Sequence, residues 1–147
     1  MEFVINQNNY KTNDEKKIKF VICKNNIKIC DTYAFIGKNG LTRNKREGDQ
    51  KTPIGKFLLG IMFGMHNIKD AHIPLNAKYL QINSNLYWVD DVNSIYYNQL
   101  VNILDVKKDW ESAEHLIEYP KQYEYAIEIK SNPQNIPGKR ECNIFAL

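Results

Sequence analysis

Apolar and polar residues alternate strictly in two segments of this sequence. From Tyr123 to Ile129 it reads YEYAIEI, so aromatic and branched side chains share one face and the two glutamates share the other. The segment from Lys17 to Cys23, KIKFVIC, alternates in the same way. A repeat of two residues is the period of a β-strand, whose successive side chains point to opposite faces of a sheet. The sequence therefore predicts a fold built mainly from strands.

Turn-forming residues separate these segments from further strand patterns. Asn25 and Asn26 follow the first strand, which predicts a β-hairpin that continues through residues 27–37. Three more predictions have the same basis: a second hairpin formed by residues 78–82 and 86–89 around Asn-Ser-Asn, a Gly-bounded buried strand within 55–64, and a final strand that starts at 143.

The best helical pattern lies in residues 109–120, DWESAEHLIEYP. Its apolar side chains share one helical face, Asp109 or Ser112 can cap the N-terminus, and Pro120 ends the segment. The chain of 147 residues has no repeat, linker or low-complexity tract. It is therefore predicted to form a single, mostly β domain with one or two short helices.

The composition is that of an ordinary globular protein and argues against several classes. A net charge of +3 with scattered basic residues is too weak to predict nucleic acid binding. The chain has neither a basic, apolar leader nor an apolar run of about 18 residues, which predicts no membrane span and a cytoplasmic location. A piece of an exported parent protein would instead belong to the cell envelope. Three cysteines without a Cys-x-x-Cys pair predict neither a disulfide framework nor a zinc knuckle.

The segment at 46–57, REGDQKTPIGKF, is both polar and rigid. It resembles a phosphate-binding loop only superficially, because six residues separate Gly48 from Gly55 and Phe57 stands where Ser or Thr would hold magnesium. No nucleotide cofactor is therefore predicted. The proline after Thr52 forces an extended backbone, which suits a rigid entry into a strand, and a plain structural loop is the alternative.

Few residues are candidates for catalysis or metal binding, and each can also be interpreted as having only a structural role. The three histidines lack the i, i+4 spacing of a helical zinc site, so no metal ligand is predicted. Asp90 and Asp91 end a strand, where capping the next segment is favoured over acid–base catalysis. Glu114 and His115 on the predicted helix remain as catalytic candidates. Cys142 is a third candidate, because nearby basic residues lower a thiol pKa.

Five segments of the sequence occur in an order typical of one enzyme family: AFIGKNG, EGDQKTPIGKFLLGIMFG, YWVDDVNSIYYN, DWESAEHLIEYPKQYEYAIEI and NPQNIPGKRECNIF. They resemble successive blocks of the YkuD-type L,D-transpeptidase catalytic domain, in its ErfK/YbiS/YcfS/YnhG-like branch. The resemblance covers about residues 17–145, and EGDQKTPIGKF is its most specific part. It implies a β-sandwich that exchanges peptidoglycan stem peptides through a Cys acyl-enzyme, with neither metal nor nucleotide.

The resemblance also implies which residues meet the substrate. Lys51 and Thr52 belong to the block that helps wall the family's substrate cleft, and a basic side chain suits a peptide that carries carboxylates. Trp88 and Tyr97 belong to the next block. These four residues are the predicted substrate-binding residues, with peptidoglycan stem peptides as the partner.

The sequence lacks the residues that carry out catalysis in the family. The family needs a His and then a Ser/Thr-x-Gly-Cys motif, whereas Leu147 stands at the His position and the motif does not occur. Cys142 precedes that position and is not the family's nucleophile. The expectation is a domain that lacks its C-terminal part and is catalytically silent. Its exposed sheet edge is expected either to pair in a homodimer or to be covered by another element of the chain. The alternatives are a non-catalytic peptide-binding or protein-interaction module that reuses the fold, and an enzyme that uses Cys142, His115 and Glu114.

Overall fold

A computed structural model describes residues 2–6, 17–24, 27–46, 48–69, 78–137 and 143–146. The fold is mostly β: the described residues form twelve strands and one 3-10 helix of three residues. The chain divides into two compact units, Met1–Ile54 and Gly55–Leu147, which are described separately. The prediction of a single domain stays a prediction.

The first unit contains a three-stranded antiparallel sheet of β1 (Glu2–Asn6), β2 (Lys17–Lys24) and β3 (Ile27–Phe35). β2 pairs with both neighbours, and its register with β3 runs from Lys17 opposite Phe35 to Lys24 opposite Ile27. The predicted hairpin is therefore confirmed, while its turn at 25–26 lies outside the described residues.

A clamped loop follows this sheet in the same unit. β4 (Leu41–Thr42) and β5 (Thr52–Pro53) form a short parallel bridge. The Thr52 hydroxyl accepts a hydrogen bond from the Gly37 N–H at 2.9 Å. A Cβ at Gly37 would lie 2.8 Å from the Gln50 carbonyl carbon and 2.9 Å from that of Lys51, so only glycine lets the two segments approach this closely. The Thr52 hydrogen bond and the close approach at Gly37 therefore hold the two ends of this loop together.

The second unit has two sheets. The first has the order β12 (Asn143–Ala146), β11 (Tyr125–Lys130), β6 (Leu58–Gly64) and β7 (Tyr79–Gln81), and the second has the order β10 (Ala113–His115), β8 (Leu86–Val89) and β9 (Gln99–Asn102). A common core joins them, because Phe63 and Ala126 of the first sheet pack with Leu86 and Trp88 of the second. The Phe63 and Trp88 rings lie 6.5 Å apart, centroid to centroid. The strands predicted within 55–64, at 123–129 and from 143 are confirmed, with bounds that differ by a few residues. The start of β6 is not buried as predicted, because Leu58 and Leu59 are exposed.

The predicted hairpin of residues 78–89 is wrong. The segment between its strands does turn, since the Asn85 N–H donates to the Asn83 side chain at 2.9 Å. However, β7 pairs in parallel with β6, and β8 pairs with β9 and β10 in the other sheet. The turn therefore carries the chain from one sheet to the other, which a local turn pattern does not reveal.

The predicted helix at 109–120 is also wrong. Residues Ala113–His115 form β10, which pairs with β8, and only Leu116–Glu118 form a 3-10 helix. Trp110 and Leu116 are buried as the helical pattern required, with 4% and 0% of their surface exposed, so a helical spacing of core residues arises here without a helix. Asp109 is not a helix cap: its carboxylate accepts hydrogen bonds from the Ser94 hydroxyl at 2.6 Å and the Ile95 N–H at 3.1 Å.

Candidate functional site

A groove of about 450 Å³ lies in the second unit, between its two sheets. Its walls come from β6, β7 and β11 on one side and from β8 and the whole of β9 on the other. Apolar side chains, Trp88 among them, alternate in the lining with amides and three charged groups. This volume is typical of sites for small ligands or short peptide segments.

Two asparagines with left-handed backbones stand side by side in the groove wall. Asn98 has φ 61° and Asn135 has φ 50°, and the Asn98 amide Nδ2 donates to Asn135 Oδ1 at 3.0 Å. Asn98 is 5% exposed, and its N–H donates to the Val89 carbonyl at 2.7 Å. Positive φ is uncommon outside glycine, and asparagine is among the residues that tolerate it. Such strained residues persist where surrounding contacts hold them, and they cluster at functional sites.

The loop after β11 positions Asn135 through its own hydrogen bonds. Asn132 is 5% exposed, and its side chain both donates to the Ile136 carbonyl at 3.0 Å and accepts from the Ile136 N–H at 3.1 Å. The Asn135 N–H donates to the Asn132 carbonyl at 3.0 Å. The loop is therefore a closed turn that presents an amide to the groove.

The charges of the groove come from Glu128, Lys130 and Asp105. Glu128 is more enclosed than Lys130, with 16% of its side chain exposed against 42%. Its Oε2 accepts from the Ile61 N–H at 3.2 Å, and its Oε1 lies 3.7 Å from the Lys130 ammonium. Two carboxylates and one ammonium give the groove a net negative charge.

Of the four predicted substrate-binding residues, Trp88 lines this groove. Tyr97 lies nearby in sequence, but it is 4% exposed and is not part of the lining. Lys51 and Thr52 belong to the first unit, where Thr52 holds Gly37 and the Lys51 N–H donates to Asp49 at 2.8 Å. In that unit these two residues have structural contacts.

The catalytic candidates Glu114 and His115 occupy consecutive positions of β10 and have separate partners. The Tyr123 hydroxyl donates to Glu114, and burial followed by this hydrogen bond raises the pKa of Tyr123. His115 stacks on Tyr87 at 4.4 Å between ring centroids. Because adjacent strand residues point to opposite faces, the two side chains do not form a catalytic couple.

Both ring nitrogens of His115 face acceptors. Nδ1 lies 2.9 Å from Glu118 Oε1, and Nε2 lies 2.9 Å from the Ser84 carbonyl. Only the doubly protonated imidazolium donates to both, and these two hydrogen bonds raise the pKa of His115. His115 thus ties the end of β10 to the turn before β8. The third candidate, Cys142, lies outside the described residues.

Asp91 has the capping role that the sequence predicted. Its carboxylate accepts from the Glu111 N–H at 2.8 Å and from the Asn93 N–H at 2.9 Å. These two hydrogen bonds lower its pKa, the first more strongly. The aspartate therefore joins the loops on either side of β9.

Sequence reasoning missed Glu128, Asn98 and Asn135 as groove residues. For the two asparagines a signal exists, because Asn next to a strand or in a Pro-marked loop is a common left-handed residue. For Glu128 no local signal exists, since the strand pattern gives it only a polar face. Its place in the groove depends on a bulge between β11 and β6, where the register shifts between Ile127 and Ile129.

The side chains of the groove offer amides, two carboxylates and one ammonium. Its lining, as far as the structure describes it, contains no thiol, hydroxyl or imidazole. In the described ranges no three His, Cys, Asp or Glu side chains come together as a metal site.

No helix in the part of the chain that the structure describes has the length and apolar character needed to cross a bilayer. No family model, curated protein or solved structure matches this chain.

Proposed function

We propose that this chain carries an L,D-transpeptidase-like domain of the peptidoglycan-remodelling family, whose groove binds cell-wall stem peptides. The proposal rests on the sequence blocks that resemble the YkuD-type domain and on one structural observation, the groove of about 450 Å³ between the two sheets. The β-sandwich of that family is part of the proposal.

The lining of the groove suits a peptide. Amide side chains both donate and accept hydrogen bonds, and those of Gln99 and Asn135 in the lining match the N–H and C=O groups of a peptide backbone. Trp88 and Leu86 provide an apolar floor. The lining is more polar than that of most small-molecule sites, which favours a ligand with many hydrogen-bonding groups, such as a peptide.

These 147 residues are proposed to bind without acyl transfer. Transfer through a thiol needs a thiolate, a base and an oxyanion site in one geometry. The sequence contains no Ser/Thr-x-Gly-Cys motif, and the described lining of the groove holds no nucleophile of that kind. Members of such a unit act together, so the loss of one already costs orders of magnitude in rate.

The test compares binding and turnover of a stem tetrapeptide by the same protein. Titration followed by tryptophan fluorescence is expected to report binding, because Trp88 lines the groove, and chromatography is expected to find no product. Asn135→Ala is expected to weaken binding, while Asn93→Ala, a matched change at an exposed turn outside the groove, leaves it unchanged. Turnover that Cys142→Ser abolishes would instead establish an enzyme. Absence of both binding and turnover would refute the proposed function.

A further inference from the structure

β9 is an edge strand, and the groove runs along its open side. In the part of the chain that the structure describes, β9 pairs with β8 alone. All four residues of β9 line the groove, whereas β8 contributes only Leu86 and Trp88. Side chains of a strand alternate, so a groove against one face contacts every second residue, as it does on β8. Contact with four consecutive residues therefore means that the groove follows the edge of β9.

The backbone groups on this open edge belong to Leu100 and Asn102. The Ile103 N–H donates to the Asn85 carbonyl at 2.9 Å, so the backbone of Ile103 faces β8. Because the hydrogen bonds of an antiparallel pair alternate, Val101 also turns its backbone towards β8, whereas Leu100 and Asn102 turn theirs away.

Three of these outward groups remain for a ligand. The Asn102 carbonyl already accepts from the Asp105 N–H at 3.0 Å. The Leu100 N–H, the Leu100 carbonyl and the Asn102 N–H have no backbone partner within the described ranges. Unpaired backbone groups along a sheet edge are a template for a further strand.

The dimensions of the groove favour a single extended peptide segment as the occupant of this edge. Four residues of strand extend over about 13 Å. The groove volume of about 450 Å³ lies near the lower end of the usual range for ligand pockets, about 300–1,000 Å³. A second copy of the protein would have to bring a strand with its sheet past the walls that β6, β7 and β11 form on the other side. The edge is therefore accessible to one chain rather than to a folded domain.

We infer that the groove binds its peptide as an added strand along β9. This inference rests on the proposed function, because it gives the binding mode of the same peptide groove. The Leu100 N–H donates to a ligand carbonyl, the Leu100 carbonyl accepts from a ligand N–H, and the Asn102 N–H binds a further ligand carbonyl. In this mode main-chain hydrogen bonds provide affinity, and pockets for alternate side chains provide specificity.

Hydrogen exchange of single amides, measured with and without the stem tetrapeptide, tests the binding mode. Without peptide, the amides of Leu100 and Asn102 are expected to exchange fast, and those of Val101 and Ile103 slowly, because the latter pair face β8. At a peptide concentration about one hundred times Kd, exchange at Leu100 and Asn102 is expected to slow about a hundredfold. Calorimetry on the same samples measures binding independently.

A pair of variants isolates the Leu100 N–H. Leu100→Pro removes this outward donor, and an edge strand tolerates proline where the N–H is not part of the ladder. Leu100→Ala loses the leucine side chain but keeps the N–H, so it is the matched control. Leu100→Pro is expected to bind the tetrapeptide about tenfold more weakly than Leu100→Ala, in line with the loss of one hydrogen bond. Circular dichroism verifies the fold, and if Leu100→Pro is unfolded, the exchange of the wild-type protein decides.

Three results would count against these expectations. Binding that leaves exchange at Leu100 and Asn102 unchanged, or equal affinities of two folded Leu100 variants, overturns the inference while the proposed function stands. Protection of both amides before peptide is added means that a second copy or another part of the chain already covers the edge, and it also overturns the inference. Failure of the wild-type protein to bind the tetrapeptide overturns both the inference and the proposed function.

Discussion

Replacement of Asp49 by alanine is expected to open the clamped loop of the first unit. The Asp49 carboxylate accepts from the Lys45 ammonium at 2.6 Å, the Arg46 N–H at 2.8 Å and the Lys51 N–H at 2.8 Å. Burial opposes the charge, yet these hydrogen bonds win and lower the pKa of Asp49 from 3.8 to about 2. That difference corresponds to about 2 kcal/mol of stability. The ammonium of Lys45, which is 3% exposed, would also lose its counter-charge.

Hydrogen exchange is the assay, because it follows individual amides of this loop. The Thr52 N–H donates to the Gly40 carbonyl at 2.8 Å and the Ile54 N–H to the Thr42 carbonyl at 2.7 Å, so these two amides report loop closure. A loss of about 2 kcal/mol accelerates their exchange about thirtyfold in Asp49→Ala. Because the folded pKa is depressed, the wild-type protection is complete above pH 3.8 and is lost as the pH falls towards 2. Unchanged exchange of both amides in Asp49→Ala would refute the reasoning.

Three further predictions concern the second unit and the assembly. The pKa of His115 is raised in the folded state, so its contribution to stability is complete below the ordinary pKa of 6.5 and is lost as the pH rises through the folded value. Urea titrations across this pH range should show the loss. In His115→Asn the free energy of unfolding should depend less on pH. Gly60→Ala is expected to lower the free energy of unfolding by about 1–3 kcal/mol, since its Cβ must displace Glu128; an unchanged urea midpoint would contradict this. The predicted homodimer should appear in light scattering as twice the monomer mass, and a monomer at all concentrations would rule it out.

The strands of this protein were predictable where their signal is local. Residues 17–24 and 125–130 alternate with the period of a strand, and both form strands. The parallel pairing of β7 with β6 was not predictable, because the two strands are far apart in sequence and no turn pattern connects them. The helix at 109–120 failed for a related reason: Trp110 and Leu116 meet core clusters of the second unit, and burial alone produced their helical spacing.

Much less of the candidate site could be predicted. Trp88 was named from its sequence block and lines the groove, whereas Glu114 and His115 were named as a pair and point to opposite faces of a strand. The resemblance identified blocks of sequence, but a block does not tell which of its side chains faces a groove. Tyr97 illustrates this, because it belongs to the same block as Trp88 and is buried outside the lining.

The residues that sequence reasoning missed share a physical property. Asn98 and Asn135 adopt backbone conformations that cost energy for most residues, and Glu128 keeps a charge enclosed beside Gly60. Glycine would relax the first feature and an apolar residue would remove the second, at the loss of the hydrogen bonds that Asn98 and Glu128 make. A positive φ and an enclosed charge also occur together in the clamped loop of the first unit, at Gln50 and the Lys45–Asp49 ion pair. What distinguishes Asn98, Asn135 and Glu128 is that they line a groove of about 450 Å³, and this is the physical reason to look for ligand binding there.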